Sequence, residues 1–256
     1  MLLRKCLLIT SFIFVVGSIA RADEPAAKQA IIDGVGDGWV TLGEKDFTLA
    51  NCYEDTWTFK DGIIHCTGQP IGVHRSVKEY TNFEMVFEWQ HLRKGGNSGC
   101  FVWTPLEAIE ALDGPGLPRG GIEVQVLDVG YADLVKERNP NAKTDWFTSH
   151  GDIFPVGKSK LTPFPPLSPN GSRSFPSEDR VKPTGEWNEQ EVTCIGSMVT
   201  VKLNGTVIME ADLKSVKPIG DSYVINYVNK AEKGHIGLLG HNSPVAVRKV
   251  RIKELP

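Results

Sequence analysis

Alternation of apolar and polar residues with a period of two is the most frequent pattern along this chain, and it predicts β-strands. In residues 83–90 (FEMVFEWQ), the odd-numbered positions are large and apolar, and we expect them to face a hydrophobic core. Glu88 lies on the opposite, polar face. A glycine-rich turn at residues 94–97 leads to residues 98–103, which we predict to be the antiparallel partner of residues 83–90.

Residues 121–128 (GIEVQVLD) combine the same alternation with two polar side chains that a buried strand does not require. Ile122 and every second residue after it form an apolar face, whereas Glu123 and Gln125 stand on the other face, roughly 6–7 Å apart. A carboxyl group and an amide at this spacing on a rigid sheet can form a functional site. A solvated outer face of an antiparallel sheet has the same pattern and is its more frequent cause.

Two dipeptides predict β-hairpins, because a type I′ turn requires positive φ at both of its central residues. Asp61-Gly62 separates two strand-like segments, and so does Asn204-Gly205. Further strands are predicted at residues 191–195, 199–203, 235–239 and 245–253. The one helical turn that we predict is at residues 212–217. Short strands without a sustained helical period or an internal repeat favour an all-β sandwich.

Residues 129–183 interrupt the strand pattern with eight prolines, so we expect little regular structure there. Several aromatic residues in this segment indicate a functional loop that packs on the sheet rather than a linker. His150 can transfer a proton near neutral pH, although a structural role is the more frequent one for a single histidine. Arg173 can bind oxygen-rich ligands through its fixed fork of donors, although surface arginines more often form salt bridges.

The first 22 residues have the basic start, apolar run and Ala-Arg-Ala end of a secretory signal sequence. We predict that residues 1–22 are removed, that residues 23–33 are a flexible leader, and that residues 34–256 form a single domain of an exported, periplasmic or extracellular protein. Without the signal, 25 basic residues remain against 31 acidic ones, a net charge near −6. This balance argues against a nucleic-acid partner and against an anionic membrane surface.

The sequence offers little support for metal or nucleophile chemistry. Its four remaining cysteines include no C-x-x-C pair, its histidines have no H-E-x-x-H spacing, and its serines no G-x-S-x-G. We therefore predict neither a metal nor a cofactor. Glu88 and Glu123 fall on the polar faces of strands that we expect in one sheet, where paired carboxylates would also suit ordinary glycoside hydrolysis.

Six phrases occur in an order and spacing that resemble the 3-keto-disaccharide hydrolase domain family, from about residue 39 to residue 255. They are FEMVFEW (83–89), GNSGCF (96–101), GIEVQVLD (121–128), KPTGEWN (182–188), LNG (203–205) and GHIGL (234–238), the last followed by His241. The resemblance implies a concanavalin-A-like jelly-roll β-sandwich whose concave face carries a carbohydrate site beneath the long proline-rich loop.

The resemblance also implies a substrate, a 3-keto-glucoside that a separate enzyme has oxidised at carbon 3. The ketone acidifies the proton at carbon 2, so a base can form an enolate, the glycosidic oxygen leaves carbon 1, and water adds afterwards. Family motif positions carried over to this chain are Glu88, Asn97, Glu123, Gln125, Asp128, Lys182 and His241. As hypotheses, Glu123 or His150 is the base and the other the acid, and Gln125, Arg173 and Lys182 hold the sugar. A non-catalytic carbohydrate-binding module is the alternative, because one fold serves both tasks.

Overall fold

The computed structural model describes residues 34–144, 150–156, 159–160, 162–171, 173–215, 217–218 and 233–256. The predicted signal sequence and leader lie outside the described residues. Within those residues, no helix is long and apolar enough to cross a membrane.

The described chain is mostly β-strand. In chain order, the strands are β1 (Trp39–Thr41), β2 (Phe47–Ala50), β3 (Trp57–Lys60), β4 (Ile63–Cys66), β5 (Gly72–Tyr80), β6 (Phe83–His91), β7 (Asn97–Thr104), β8 (Ile122–Leu127), β9 (His150–Pro155), β10 (Ser159–Lys160), β11 (Asn188–Ile195), β12 (Met198–Leu203), β13 (Thr206–Asp212), β14 (Lys217–Pro218), β15 (Gly234–Gly240) and β16 (Val245–Glu254). The α-helices are α1 (Leu106–Glu110) and α2 (Tyr131–Arg138), and Glu44–Asp46 and Leu213–Ser215 are 3₁₀ helices.

Two antiparallel sheets form a sandwich, which confirms the all-β jelly-roll prediction. The eight-stranded sheet has the order β13-β12-β11-β6-β16-β4-β3, with β1 paired to β16. The six-stranded sheet has the order β2-β5-β15-β7-β8-β9. Strands β10 and β14 form a separate two-stranded sheet.

The hydrophobic core lies between the two sheets and accounts for the alternation in the sequence. The odd-numbered residues of β6 are almost completely buried in it, and the Phe83 and Trp103 rings meet edge to face at 6.3 Å. On β8, the core side is formed by Ile122, Val124 and Val126. Each such side chain stabilises the fold by roughly 1.5–3 kcal/mol relative to its exposed state.

Both hairpin predictions are confirmed. Strands β3 and β4 pair through a turn in which Asp61 has φ 53° and Gly62 has φ 75°. Strands β12 and β13 pair through Asn204, with φ 48°, and Gly205, with φ 86°. All four residues have the left-handed conformation that the turn requires.

The predicted pairing of residues 83–90 with residues 98–103 is wrong. Strand β6 pairs with β11 and β16, whereas β7 pairs with β8 and β15. The glycine-rich connection crosses from one sheet to the other, because the apolar faces of the two strands pack against each other across the core. Glu88 and Glu123 therefore lie in different sheets, which corrects the prediction that they share one concave surface.

Residues 129–183 also hold more regular structure than the prolines predicted. Helix α2 ends before the first of these prolines, Pro140, and contains neither proline nor glycine. Strand β9 joins the sheet at its edge and ends at Pro155, where a missing N–H group costs little. The helical turn predicted at residues 212–217 is present as a 3₁₀ helix, but α1 and α2 show that it is not the only helical segment.

The face of the six-stranded sheet that points away from the core is itself partly covered. A second apolar cluster on this outer face consists of Ala50, Val73, Phe101, Ile109, Val156 and Leu239. Helix α1 contributes Ile109 to the cluster. Glu123 and Gln125 stand on the same outer face, so they lie beside an apolar cover rather than on an open surface.

Candidate active site

A cavity of about 230 Å³ lies on this outer face. Strands β7 and β8 contribute part of its lining, and α2, β9, the long loop and the segments before β8 and after β15 contribute the rest. The lining residues are Asn97, Leu117, Glu123, Gln125, Leu127, Tyr131, Phe154, Val156, Arg173 and His241. The volume is below the ~300–1,000 Å³ of sites for drug-sized ligands, so the cavity suits one small ring rather than a long chain.

Glu123 is the buried carboxylic acid of this cavity, with 4% of its surface exposed. It lies on β8 directly opposite Phe101 of β7 and Phe154 of β9. Burial raises the pKa of its carboxyl group to about 8, Arg173 opposes this rise, and the negative charge of Asp152 adds to it. The described residues form no hydrogen bond with the Glu123 carboxyl group. It can therefore exchange a proton with a ligand near neutral pH.

Gly99 on β7 makes room for this carboxyl group. A Cβ atom at position 99 would lie 2.4 Å from Glu123 Oε1 and 2.8 Å from its carboxyl carbon. Real Cβ atoms do not approach other atoms so closely, so any larger residue would displace the Glu123 side chain. The glycine thus allows the carboxyl group to lie over the neighbouring strand.

A hydrogen-bonded series of polar side chains lies along one side of the cavity. Gln125 Nε2 donates to Asn97 Oδ1 at 2.8 Å, and Asn97 Nδ2 lies 3.2 Å from His241 Nδ1. Because the Asn97 amide nitrogen is a donor, His241 Nδ1 accepts and Nε2 carries the ring proton. Burial lowers the pKa of His241, so the ring is neutral at neutral pH. Its Nε2–H group is thus a donor for a ligand oxygen.

Arg173 brings a positive charge from the long loop to the cavity. Its Nε and Nη2 atoms each lie 2.6 Å from Asp152 Oδ2. The guanidinium carbon stacks 3.9 Å from the centre of the Phe154 ring, a favourable cation–π distance. The guanidinium is therefore fixed in direction by a carboxylate and an aromatic face.

Five of the nine predicted site residues thus come together: Asn97, Glu123, Gln125, Arg173 and His241. Glu88 does not belong to this group. Its carboxylate accepts hydrogen bonds from Arg248 Nε at 2.5 Å and Lys249 Nζ at 2.6 Å, in the other sheet. The expectation that Glu88 lies beside Glu123 is therefore corrected, and substrate binding by Glu88 stays a prediction.

Asp128 and Lys182 stabilise loops instead of lining the cavity. Asp128 Oδ1 accepts from the N–H groups of Gly95 at 2.9 Å and Gly130 at 2.8 Å, and its Oδ2 accepts from Thr184 Oγ1 at 2.6 Å. Lys182 Nζ donates to the carbonyl oxygen of Trp187 at 2.9 Å. These bonds use the polar atoms that the sequence assigned to substrate.

His150 is separated from Glu123 by a shift in strand register. The β8–β9 register changes between Val124 and Val126, and His150 then pairs with Val126, a core residue. His150 Nδ1 lies 3.8 Å from Asp179 Oδ1, and burial lowers the pKa of the ring to about 4. His150 is not among the residues that line the cavity, so the structure does not bring together the predicted acid–base pair.

Sequence reasoning missed Tyr131 and the role of Asp152 beside Arg173. Tyr131 is the first residue of α2, in a segment where no helix was predicted. Asp152 lies in the proline-rich segment and was not among the predicted site residues. In the part of the chain that the structure describes, no three histidine, cysteine, aspartate or glutamate side chains are grouped so that they could hold a metal ion.

Residues 28–253 match the family of 3-keto-alpha-glucoside-1,2-lyase-like domains, which confirms the resemblance seen in the sequence. This family supports a carbohydrate-active function. A search of curated proteins gives no match.

Solved structures with the same fold include two crystal structures from Parabacteroides distasonis ATCC 8503, both provisionally assigned as glycosyl hydrolases. The first has 21% identity and a TM-score of 0.57, and the match covers 85% of this chain and 99% of that one. The second has 22% identity and a TM-score of 0.55, covering 83% and 90%. An inactivated beta-agarase B mutant in complex with agaro-octaose has 10% identity and a TM-score of 0.51, covering 84% of both chains.

Proposed function

The chain belongs to the family of 3-keto-alpha-glucoside-1,2-lyase-like domains, and from this premise we propose that it is an exported enzyme that cleaves 3-keto-glycosides. Its substrate is a 3-keto-glucoside whose sugar ring occupies the cavity. The observation that carries this proposal is the Glu123 carboxyl group, which is buried, lines the cavity and has a pKa of about 8.

In the proposed reaction, the ionised Glu123 carboxylate removes the proton from carbon 2 of the keto sugar. The electron pair of the broken C–H bond forms an enolate whose charge rests on the oxygen at carbon 3. When the carbonyl forms again, the bond between carbon 1 and the glycosidic oxygen breaks, and that oxygen takes up a proton. Water then adds across the new double bond, so the products are a 3-keto sugar and the free aglycone.

Donors around the cavity suit the enolate that this route creates. Arg173 offers a fixed positive charge, and the neutral His241 ring offers its Nε2–H group. Such preorganised donors stabilise developing negative charge strongly in a site of low dielectric constant. Gln125 and Asn97 orient His241, so we assign them to holding the donor and the sugar rather than to proton transfer.

Ordinary glycoside hydrolysis fits the cavity less well, because it uses two carboxyl groups on either side of the scissile bond. Among the described lining residues, Glu123 is the single carboxylic acid. Glu88 is in the other sheet, and Asp152 is held by Arg173. Elimination from a 3-keto sugar requires one base and an enolate stabiliser, and the cavity supplies both.

The test is release of an aromatic aglycone from a 3-keto-glucoside by the purified protein, with the unoxidised glucoside as the matched control. We expect cleavage of the keto sugar only, because its carbon-2 proton alone is acidic. In deuterated water, deuterium should enter carbon 2 of the recovered keto sugar or its product. The Glu123→Gln variant should lose on the order of 10²-fold or more in turnover while it still binds the sugar.

Other results would redirect the proposal. If the protein binds the keto sugar but neither releases the aglycone nor exchanges deuterium at carbon 2, it is a carbohydrate-binding module. Equal cleavage of both glucosides would indicate ordinary hydrolysis. Unchanged turnover by Glu123→Gln would exclude Glu123 as the base.

A further inference from the structure

Asp152 is a buried carboxylate beside the cavity that the proposed reaction does not use. Only 1% of its surface is exposed, and it precedes Phe154 by two positions on β9. Burial raises the pKa of its carboxyl group, and Arg173 and the nearby backbone N–H groups of Ser174 and Ile153 oppose this rise. Both Arg173 Nε and Nη2 lie 2.6 Å from Asp152 Oδ2, so this buried carboxyl group ties Arg173 to the edge strand.

The loop that carries Arg173 is also held at that position. Ser168 N–H donates to the carbonyl oxygen of Arg173 at 2.9 Å, and Arg173 N–H donates to Ser168 Oγ at 3.1 Å. Leu167 and Ser174 form an isolated β-bridge beside them. The Asp152–Arg173 ion pair therefore joins a compact loop to the sheet next to Glu123.

Glu123 and Asp152 both interact electrostatically with the same guanidinium. Other titratable side chains that interact with Glu123 or line the same cavity are Cys100 of β7, Tyr131 of α2 and His241 after β15. The charges that act on the Glu123 carboxyl group are those of Arg173, which lowers its pKa, and Asp152, which raises it. In a site of low dielectric constant, a guanidinium not held by Asp152 would be drawn to the Glu123 carboxylate.

A direct Glu123–Arg173 pair would impair both groups. It would stabilise the ionised form of Glu123 and so weaken it as a base. It would also direct the donors of Arg173 toward the base instead of the substrate oxygen. Resting on the function proposed above, we propose that Asp152 is a positioning residue that holds Arg173 against Phe154 and prevents it from pairing with Glu123.

The test combines pH profiles with direct titration of Glu123. Profiles of kcat/KM on a 3-keto-glucoside are measured for wild type, Asp152→Asn and Arg173→Gln, with the exposed Asp55→Asn as a matched control. The Glu123 carboxyl carbon is titrated by ¹³C NMR in protein labelled on glutamate, and Glu123→Gln assigns its signal. Urea unfolding checks that each variant is folded.

We expect opposite shifts in the two site variants. Asp152→Asn should move the Glu123 titration and the acid limb of the profile to lower pH by roughly half a unit or more, since a negative charge is lost and Arg173 is released. Arg173→Gln should move both to higher pH, because a positive charge is lost. Asp152→Asn should also lower the plateau of kcat/KM by roughly 10-fold through misplacement of Arg173. Asp55→Asn should resemble wild type.

Two outcomes would overturn the inference. One is a Glu123 titration that does not move in Asp152→Asn, and the other is a shift of the same sign in both variants. If Asp152→Asn does not fold, a Glu123 titration that is unmoved in Arg173→Gln would overturn the inference, because Arg173 would then not act on Glu123 at all. The NMR titration requires no turnover, so failure of the proposed function would show as inactive wild type, whereas failure of this inference would show as an unmoved Glu123 signal.

Discussion

Replacement of Glu123 by glutamine should make the stability of the protein less sensitive to alkaline pH. The pKa of Glu123 is about 8 in the folded protein, compared with the ordinary value of 4.5. Between these values, the folded state keeps the proton that the unfolded state has lost. Stability therefore falls as pH rises through this window, and wild type above pH 8 bears the full cost of a buried charge.

The magnitude follows from the difference of about 3.5 between the two pKa values. Each pKa unit corresponds to ~1.4 kcal/mol, so the cost of ionisation is about 5 kcal/mol, a large part of the ~5–15 kcal/mol of a typical domain. Glutamine has nearly the same shape and carries no charge. Relative to wild type, Glu123→Gln should gain little stability at pH 4.5 and several kcal/mol at pH 9.

The assay is urea unfolding of wild type and variant between pH 4.5 and pH 9, compared as differences so that groups common to both proteins cancel. Glu88→Gln is the control, and its change in unfolding free energy should have the opposite sign. Although burial acts to raise the pKa of Glu88, hydrogen bonds from Lys249 and Arg248 outweigh it and lower that pKa. Glu88→Gln should therefore lose stability at neutral pH, and the loss should shrink as the pH falls through the folded pKa of Glu88.

A stability difference between Glu123→Gln and wild type that is constant over this range would refute the reasoning. It would mean that Glu123 ionises with an ordinary pKa in the folded protein. The role of Glu123 as a base of raised pKa would then lose its physical basis. For Glu88→Gln the difference should stay nearly constant over this range and shrink only at lower pH, because the folded pKa of Glu88 lies below 4.5. A Glu88→Gln variant as stable as wild type at neutral pH would question only the ion pairs of Glu88 in the other sheet.

Three further substitutions test the surroundings of Glu123. Gly99→Ala should lower turnover of a 3-keto-glucoside by 10-fold or more, because the added Cβ atom displaces the Glu123 carboxyl group. The control Gly43→Ala has open space around the added Cβ atom and should keep the wild-type rate. Equal turnover by the two variants would contradict this role of Gly99. Asp128→Ala should destabilise the protein by roughly 2–5 kcal/mol in urea unfolding, since two buried N–H groups lose their acceptor, and a change below 1 kcal/mol would be evidence against this role. Asn97→Leu should raise KM or lower kcat, because His241 loses its hydrogen-bond partner. The acid limb of the pH profile should stay in place, because Glu123 is unchanged. A shifted acid limb would show that His241 and Glu123 are coupled.

The sequence was sufficient to predict which residues of a strand face the core. In β6 and β8, alternation alone identified the buried face, and in both hairpins the turn residues identified the left-handed positions. These features are local, since they depend on the pleat of one strand or on two adjacent residues. Glu123 and Gln125 were found for the same reason.

Strand partners could not be found in this way. The odd-numbered residues of β6 and the apolar face of β7 would suit adjacent strands in one sheet or facing strands in two sheets. The second arrangement is the one adopted, and it removes Glu88 from Glu123. Glu88 is then neutralised by Arg248 and Lys249, which lie about 160 residues further along the chain. Nothing near Glu88 in the sequence indicates these partners.

His150 shows that a β-bulge changes which face of a strand a residue lies on, so that simple alternation assigns the wrong face. One register shift in β9 turns the histidine toward the core side, opposite Val126. Gly151 follows it with φ 69°, and a glycine within a strand is a recognised sign of such an irregularity. Gly151 therefore indicated the bulge in the sequence, but this could be recognised only once residues 150–155 were known to form a strand.

The outer face of β8 became a candidate active site because other segments cover it. A glutamate on a solvated face would keep an ordinary pKa. A solvated outer face is also the more frequent cause of the alternating pattern, so it was a reasonable expectation for β8. Helix α1 covers part of that face, and α2 and the Arg173 loop line the cavity on it, where burial raises the pKa of Glu123. Two of these three covering segments are helices that the sequence did not predict. Chemistry at Glu123 thus depends on the cover as much as on the strand, so substitutions in the cover should alter proton transfer without touching β8.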